Sequence, residues 1–195
     1  MRVFLVKASK ACTSSNFNIK SFAGSSGRLD VVARSILAAL RLARGVRRNV
    51  IFLGVLEGPP NPPKLLKVIG KELRKLPESE VEIARIFLRL FKGENVEGFY
   101  LENKGFRDVV LEFVQSPCTV VYYLERDGVD IREVIFPKDK DLVFILGDHI
   151  GLDRDSELFL RKLGVRVISL GPKVYFTSHC ITMVNEELDR REFLS

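Results

Sequence analysis

Asp141-Leu142-Val143-Phe144-Ile145-Leu146-Gly147-Asp148-His149-Ile150-Gly151 is an apolar run ending in a glycine turn, and Val165-Arg166-Val167-Ile168-Ser169-Leu170-Gly171-Pro172 repeats that pattern roughly 24 residues later. Runs this apolar suit strands covered on both faces, as in a parallel sheet under helices. Ser156 to Leu163 has helical spacing between them, and Thr177-Ser178-His179-Cys180 leads into a helix running from about Ser178 to Arg190. In open α/β sheets ligands bind beyond the carboxyl ends of the strands, where backbone groups are free and helix N-termini point inward. If the two strands are parallel neighbours, their glycine turns form two walls of one small-molecule pocket.

Working outward, Arg2 to Lys7 reads as a strand, followed by a Ser/Asn/Gly-rich loop from Ala8 to Gly27, a length usually reserved for functional or mobile segments. Val32, Ile36, Ala39, Leu40 and Ala43 give Leu29 to Ala43 a helical period, with Gly45 as its stop. Asn49 to Leu56 is apolar enough to be a central strand. Gly58-Pro59-Pro60-Asn61-Pro62-Pro63 can be neither helix nor inner strand and reads as a rigid turn propping a neighbouring loop. Leu65 to Leu76, Val81 to Leu90 and Phe106 to Gln115 read as helices. Val120 to Leu124 reads as a strand turning at Glu125-Arg126-Asp127-Gly128, where Asp127-Gly128 taken alone suggests a hairpin. No motif marks Leu76 to Lys104. The alternation predicts an α/β fold: a mainly parallel sheet with helices on both faces, residues 1–195 forming one domain.

The 195 residues are 46% hydrophobic, enough for a sizeable core. The longest apolar stretch, Val50 to Leu56, is far short of the roughly 20 residues of a membrane span, and Met1-Arg2-Val3-Phe4 enters a strand rather than a signal peptide. A soluble, cytoplasmic protein with no membrane partner is expected. Cys12, Cys118 and Cys180 form no paired framework and no CxxC, so reduced thiols are expected. The net charge of +6 is concentrated in the N-terminal half, where Lys10, Lys20, Arg28, Arg34, Arg41, Arg44, Arg47 and Arg48 meet few acids. Such a face fits phosphate neutralisation, or simply a solvated surface.

Neither glycine turn matches GxGxxG or GxxxxGK[ST], which removes the main support for dinucleotide or nucleoside triphosphate binding and leaves room for a mononucleoside-like ligand. His149, His179 and Cys180 lack the spacing of a three-ligand metal site, since adjacent helical residues diverge by about 100°. No metal is expected. Ser178 beside His179 fails as a nucleophile and base for the same reason. Cys180 near a helix start is either an activated thiolate or a packing residue. Asp30, Asp127, Asp148 and Asp153 each offer a general base or, equally, a helix cap or turn former.

Gly27-Arg28-Leu29-Asp30-Val31-Val32-Ala33-Arg34-Ser35, Tyr122-Tyr123-Leu124, Phe144 to Leu152, Ser169-Leu170-Gly171-Pro172 and Tyr175-Phe176-Thr177-Ser178-His179-Cys180-Ile181 together resemble the archaeal tRNA pseudouridine-54 N1-methyltransferases of the SPOUT class. The resemblance runs over nearly the whole chain. It implies a C-terminal deep trefoil knot, here residues 141–191, around S-adenosyl-L-methionine as methyl donor. It implies donor contacts at Leu124, Gly147, Leu170, Gly171, Pro172, Lys173, Val174, Tyr175 and Cys180, the last as a pocket wall. It also implies tRNA as substrate and a homodimer. The closing helix carries Ile181, Val184 and Leu188 at helical spacing, for a partner or for the core.

Methylation at a pyrimidine C5 requires an enzyme thiol to add to the ring, whereas pseudouridine N1 is itself a nucleophile once its proton leaves. Orientation of N1 in line with the donor methyl is then the enzyme's main task. Asp30 is the candidate assisting acid, or alternatively a cap of its helix, with Arg28 and Arg34 as candidate RNA contacts. A sister SPOUT family acting on a pseudouridine of small-subunit ribosomal RNA, and a non-catalytic RNA-binding factor on the same fold, are the alternatives.

Overall fold

The computed structural model describes residues 1–194. In chain order the elements are β1 (Arg2–Ala8), α1 (Phe22–Ser25), α2 (Leu29–Leu40), β2 (Arg41–Leu42), β3 (Gly45–Val46), β4 (Val50–Leu56), β5 (Lys64–Ile69), α3 (Glu80–Phe91), β6 (Phe99–Glu102), α4 (Phe106–Gln115), β7 (Thr119–Asp130), β8 (Asp141–Gly147), α5 (Arg154–Lys162), β9 (Arg166–Ser169) and α6 (Thr177–Leu194). Seven strands form one sheet in the order β6-β5-β4-β1-β8-β7-β9. The five strands β4 to β9 of that order are parallel, and β5 and β6 add an antiparallel edge. β2 and β3 form a separate small hairpin.

Side chains of β1 alternate between two cores. Phe4, Val6 and Ala8 pack with residues of α2, α3 and α6, while Val3 and Leu5 pack with residues of α4 and α5. Helices therefore cover both faces, and the central strands are apolar throughout because neither face meets water. On the first face Phe4, Phe144 and Tyr122 lie opposite one another across three strands, with ring centroids 5.7 and 5.6 Å apart. Each such aromatic pair contributes about 0.5–1.5 kcal/mol beyond its buried area, which pins the register of the strands that end at the candidate site.

α6 lies along α2 and buries Ile181, Val184 and Leu188, so these residues belong to the chain's own core. The Asn185 side-chain amide donates to the Ala38 and Ala39 carbonyls, satisfying the last turn of α2. The buried Arg2 guanidinium donates to Asp189 and Glu192, and Arg47 grips Asp189 from the other side. Farther along α6, Arg191 donates to the carbonyls of Ile131 and Val134 and stacks on Phe136.

Several expectations change. Leu65 to Leu76 is strand β5 followed by a 3-10 turn at Gly70–Glu72, not a helix. Its Leu65, Ile69, Leu73 and Leu76 fit a helical period, but pairing with β4 on one side and β6 on the other satisfies its backbone and sends alternate side chains to the two cores. β6 itself lies in the stretch that carried no motif. Asp127-Gly128 makes no hairpin, because β7 passes through a bulge and pairs with β9 before it, at Tyr122 to Leu124, and after it, at Val129 and Asp130. α2 stops at Leu40, and Gly45 instead opens β3, paired with Leu42 across the Ala43-Arg44 turn. β8 and β9 are parallel but not neighbours: β7 lies between them. The proline turn props its neighbour as expected, with Thr13 N–H donating to the Pro59 carbonyl and Gly58 N–H to that of Ala11.

Candidate functional site

The strands β8, β7 and β9 end side by side, and their carboxyl ends open into a cavity of about 540 Å³. Leu124 from β7, Gly147 at the end of β8 and Leu170 and Gly171 after β9 line it, while Lys173, Val174, Tyr175 and Cys180 come from the approach to α6 and its first turn. With β7 as the middle wall, the two glycine turns reach one cavity without being on adjacent strands. Pro172 lies between lining residues but does not itself line the cavity.

Gly147 is required by space. A Cβ there would sit 2.2 Å from the Gly151 carbonyl carbon and 2.5 Å from the Leu152 nitrogen, both main-chain atoms. The turn folds this tightly because Gly151 N–H donates to the Asp148 carbonyl and the Asp148 carboxylate accepts from Ile150 N–H. Thr177, the first residue of α6, donates its hydroxyl to the Gly147 carbonyl at 2.9 Å and so ties the helix start to the turn. Across the cavity Gly171 N–H donates to the Ser169 hydroxyl at 3.1 Å. The result is a largely apolar slot bounded by two main-chain turns that Thr177 and Ser169 hold in place, a shape that suits an adenine nucleoside.

Cys180 lines this cavity, and burial pushes its thiol up to about 11. That direction works against an activated thiolate, because desolvation of the thiol outweighs the backbone hydrogen bond that favours the anion. His149 and His179 also line the cavity, yet among the described residues no three His, Cys, Asp or Glu side chains converge as a metal site would require. Among the described residues no helix is long and apolar enough to cross a membrane. Asp153 caps α5 by accepting from Ser156 N–H, and Asp127 pairs with Arg161 on the surface. Both carry structure rather than chemistry.

Asp148, His149, Ile150, Phe176 and Thr177 also face the cavity, as do Glu125 and Arg126 after Leu124. In the sequence Asp148, His149, Ile150, Phe176 and Thr177 lie within the stretches that carry the family resemblance, and Glu125 and Arg126 read only as a turn after Leu124.

Arg28, Asp30 and Arg34 form a separate cluster at the start of α2, outside the cavity lining. Gly27 and Arg28 both adopt left-handed backbone, and Arg28 is the one non-glycine residue with positive φ among the described residues. A Cβ on Gly27 would fall 1.8 Å from the Lys10 carbonyl oxygen, so the long loop and the helix start are fitted to each other there. Arg28 forks onto Asp30 through two hydrogen bonds of 2.9 and 3.1 Å, and Arg34 donates to the same carboxylate at 2.6 Å. Burial works against ionisation of Asp30, but the Arg28 and Arg34 guanidinium groups outweigh it and hold the carboxyl below the usual carboxylate range.

Because the folded pKa lies below the unfolded one, this cluster contributes its full stability above the ordinary carboxylate range and loses it as pH falls through the folded value. Asp30→Asn is therefore expected to unfold at a lower temperature than wild type near neutrality, with the two curves converging below about pH 4. A constant gap across thermal melts from pH 7 to pH 3 would remove the ionised Asp30 from this account.

A family model described as "Putative SAM-dependent RNA methyltransferase" matches residues 1–193. The tRNA (pseudouridine(54)-N(1))-methyltransferase of Methanococcus vannielii is 39% identical over 197 residues, covering 97% of this chain and 99% of its own. That of Pyrococcus abyssi is 40% identical over 204 residues, covering 97% and 98%. Among solved structures, Archaeoglobus fulgidus Nep1 bound to S-adenosylhomocysteine superposes with a TM-score of 0.65 at 16% identity, covering 97% of both chains. The ribosomal RNA small subunit methyltransferase E of Neisseria gonorrhoeae bound to S-adenosyl methionine gives 0.52 at 13% identity, over 97% of this chain and 66% of that one. At those identities the structural likeness speaks for the fold. With a family match over nearly the whole length and relatives near 40% identity, the chain belongs to the tRNA (pseudouridine(54)-N(1))-methyltransferase family of SAM-dependent RNA methyltransferases.

Proposed function

We propose that this protein transfers the methyl group of S-adenosyl-L-methionine to N1 of the pseudouridine at position 54 in the T loop of tRNA. The observation that carries the reading is the convergence of Leu124, Gly147, Leu170, Gly171 and Cys180 on one apolar cavity at the carboxyl edge of the sheet. Their resemblance to the family and their convergence on one cavity both support this reading. The donor supplies an electrophilic methyl on a positive sulfonium; the chain supplies a slot for the adenosine and a fixed approach for N1. No thiol adduct is needed, which agrees with the upward push that burial gives the Cys180 thiol.

Lys173 and the exposed rim are one route to RNA phosphates, and Arg28 and Arg34 another. Asp30 is the acid the sequence offers for the N1 proton. With its carboxylate engaged by both arginines and its pKa lowered, the role proposed for it is holding Arg28 and Arg34 in place.

Residues 1–195 are proposed to form a single domain, with 141–191 as its knotted donor segment. β9 pairs with β7 on both sides of the bulge, after which the chain returns across the sheet and Arg191 grips the Ile131 to Val134 segment that links β7 to β8. That path supports a threaded C-terminus. Ile150, Val174 and Phe176 are exposed by 58%, 85% and 72% around the cavity mouth, an apolar rim that supports a homodimer covering it. Work on tRNA, in turn, suits a cytoplasmic location.

The deciding experiment offers purified protein labelled methyl donor with tRNA transcripts carrying uridine or pseudouridine at position 54, beside a small-subunit ribosomal RNA fragment containing pseudouridine. Label is expected in the pseudouridine tRNA alone. Equal labelling of the uridine transcript would sink the N1 assignment, preference for the ribosomal fragment would move the substrate, and no labelling despite donor binding would favour a non-catalytic RNA-binding factor.

A further inference from the structure

Asp148 stands out among the residues lining the cavity, because its carboxylate is buried and fixed by main-chain groups. Its side chain is 4% exposed, one oxygen accepts Ser9 N–H at 2.8 Å and the other accepts Ile150 N–H at 3.0 Å. Two N–H donors, one on each oxygen, fix the carboxylate in place. Within 4 Å its partner of opposite sign, among the described residues, is the His149 imidazole at 3.6 Å, a charge only when protonated. Arg28 feels the charge of Asp148 from farther off, but its guanidinium is committed to Asp30 by two hydrogen bonds. The other acid of the lining, Glu125, accepts from Arg126 N–H and faces the Tyr123 hydroxyl at 3.0 Å. Lys173 and Arg126 bring positive charge to the same lining. A fixed anion left without a full cationic partner beside a ligand pocket will favour a ligand that brings a positive charge, since screening by water is weak there.

We infer that Asp148 is a specificity-determining residue that discriminates the cationic donor from its neutral product. The inference rests on the cavity being the donor site. S-adenosylmethionine carries one positive charge at sulfur, and after the methyl leaves, S-adenosylhomocysteine carries none there. A carboxylate held in place by backbone N–H groups attracts the sulfonium charge that only the first carries, the amino-acid part being the same in both, so transfer itself weakens the hold on the product.

The test is a thermodynamic cycle in which one leg removes the charge of Asp148 and the other the charge of the ligand. Binding of S-adenosylmethionine and of S-adenosylhomocysteine is measured by calorimetry for wild type, Asp148→Asn and Asp127→Asn, a surface carboxylate outside the lining, with thermal unfolding as a check on folding. Asp148→Asn is expected to shift the ratio of the two dissociation constants by about ten-fold against the methyl donor, a change of about 1.4 kcal/mol in selectivity. Asp127→Asn should leave the ratio within about two-fold of wild type, the scatter usual for uncoupled sites. Equal weakening of both ligands would give Asp148 a purely structural role and overturn the inference, as would a shifted ratio in Asp127→Asn but not in Asp148→Asn. Should Asp148→Asn fail to fold, Asp148→Ser, which keeps an acceptor for the turn, reads the same ratio. If neither ligand binds the wild-type protein, it is the donor site that fails.

Discussion

Gly147→Ala is expected to lower S-adenosylmethionine affinity by about a hundred-fold, the equivalent of about 2.7 kcal/mol. The added methyl would lie 2.2 Å from the carbonyl carbon of Gly151 and 2.5 Å from the nitrogen of Leu152. Main chain on both contacts cannot rotate aside, so the turn must open, and overpacking of this kind costs typically about 1–3 kcal/mol. Opening it also displaces the Gly147 carbonyl from the Thr177 hydroxyl and so loosens the first turn of α6, the opposite wall of the cavity. Gly171 is a useful contrast. A Cβ there meets nothing within 4 Å, and its φ of +118° makes the cost one of backbone conformation alone. Gly171→Ala should therefore bind the donor better than Gly147→Ala. Calorimetric titration of both variants checks this, and wild-type affinity in Gly147→Ala would show that the cavity is not where the donor sits.

Arg28→Gly should separate function from stability: methylation of tRNA falls by about a hundred-fold in kcat/KM while the unfolding temperature moves by less than about 4 °C. Arg28 holds a φ of 73°, a conformation that costs a non-glycine residue roughly 1–2 kcal/mol, and glycine relieves it. Against that gain stand the lost ion pair to Asp30, worth about 0–1 kcal/mol for a group as exposed as Arg28, and about 0.5–1 kcal/mol of added chain entropy. These contributions nearly cancel. A strained residue kept where glycine would serve the backbone better is a sign that the side chain is needed. Donor affinity should be unchanged, because Arg28 lies outside the cavity lining. Unimpaired turnover on tRNA would remove Arg28 from the RNA-binding surface.

The candidate site was legible in the sequence because its parts are local. A glycine that ends an apolar run marks the carboxyl end of a strand wherever the strand lies in the sheet. Gly147 and Gly171 could thus be placed at the functional edge before any neighbour was known. Asp148 and Thr177 were less legible, since their parts depend on partners distant in sequence: Ser9 for one, Gly147 for the other. The Arg28–Asp30–Arg34 cluster shows the same limit. The three residues are close in sequence, but the left-handed Arg28 follows a Gly27 packed so closely on the Lys10 carbonyl that no Cβ would fit there, and Lys10 is distant in sequence.

By itself the sequence determined that strands and helices alternate, which runs are buried on both faces, and where the glycine turns fall, because hydrophobic period and turn chemistry act over a few residues. Only the tertiary structure decided that β7 stands between β8 and β9, that Leu65 to Ile69 is a strand, and that Ile181, Val184 and Leu188 face the chain's own core. It also placed Cys180 in the cavity lining, where burial pushes its thiol up and works against a nucleophilic role. Strand order, pairing and desolvation are set by the free energy of bringing distant segments together, and local pattern carries no record of which segments those are.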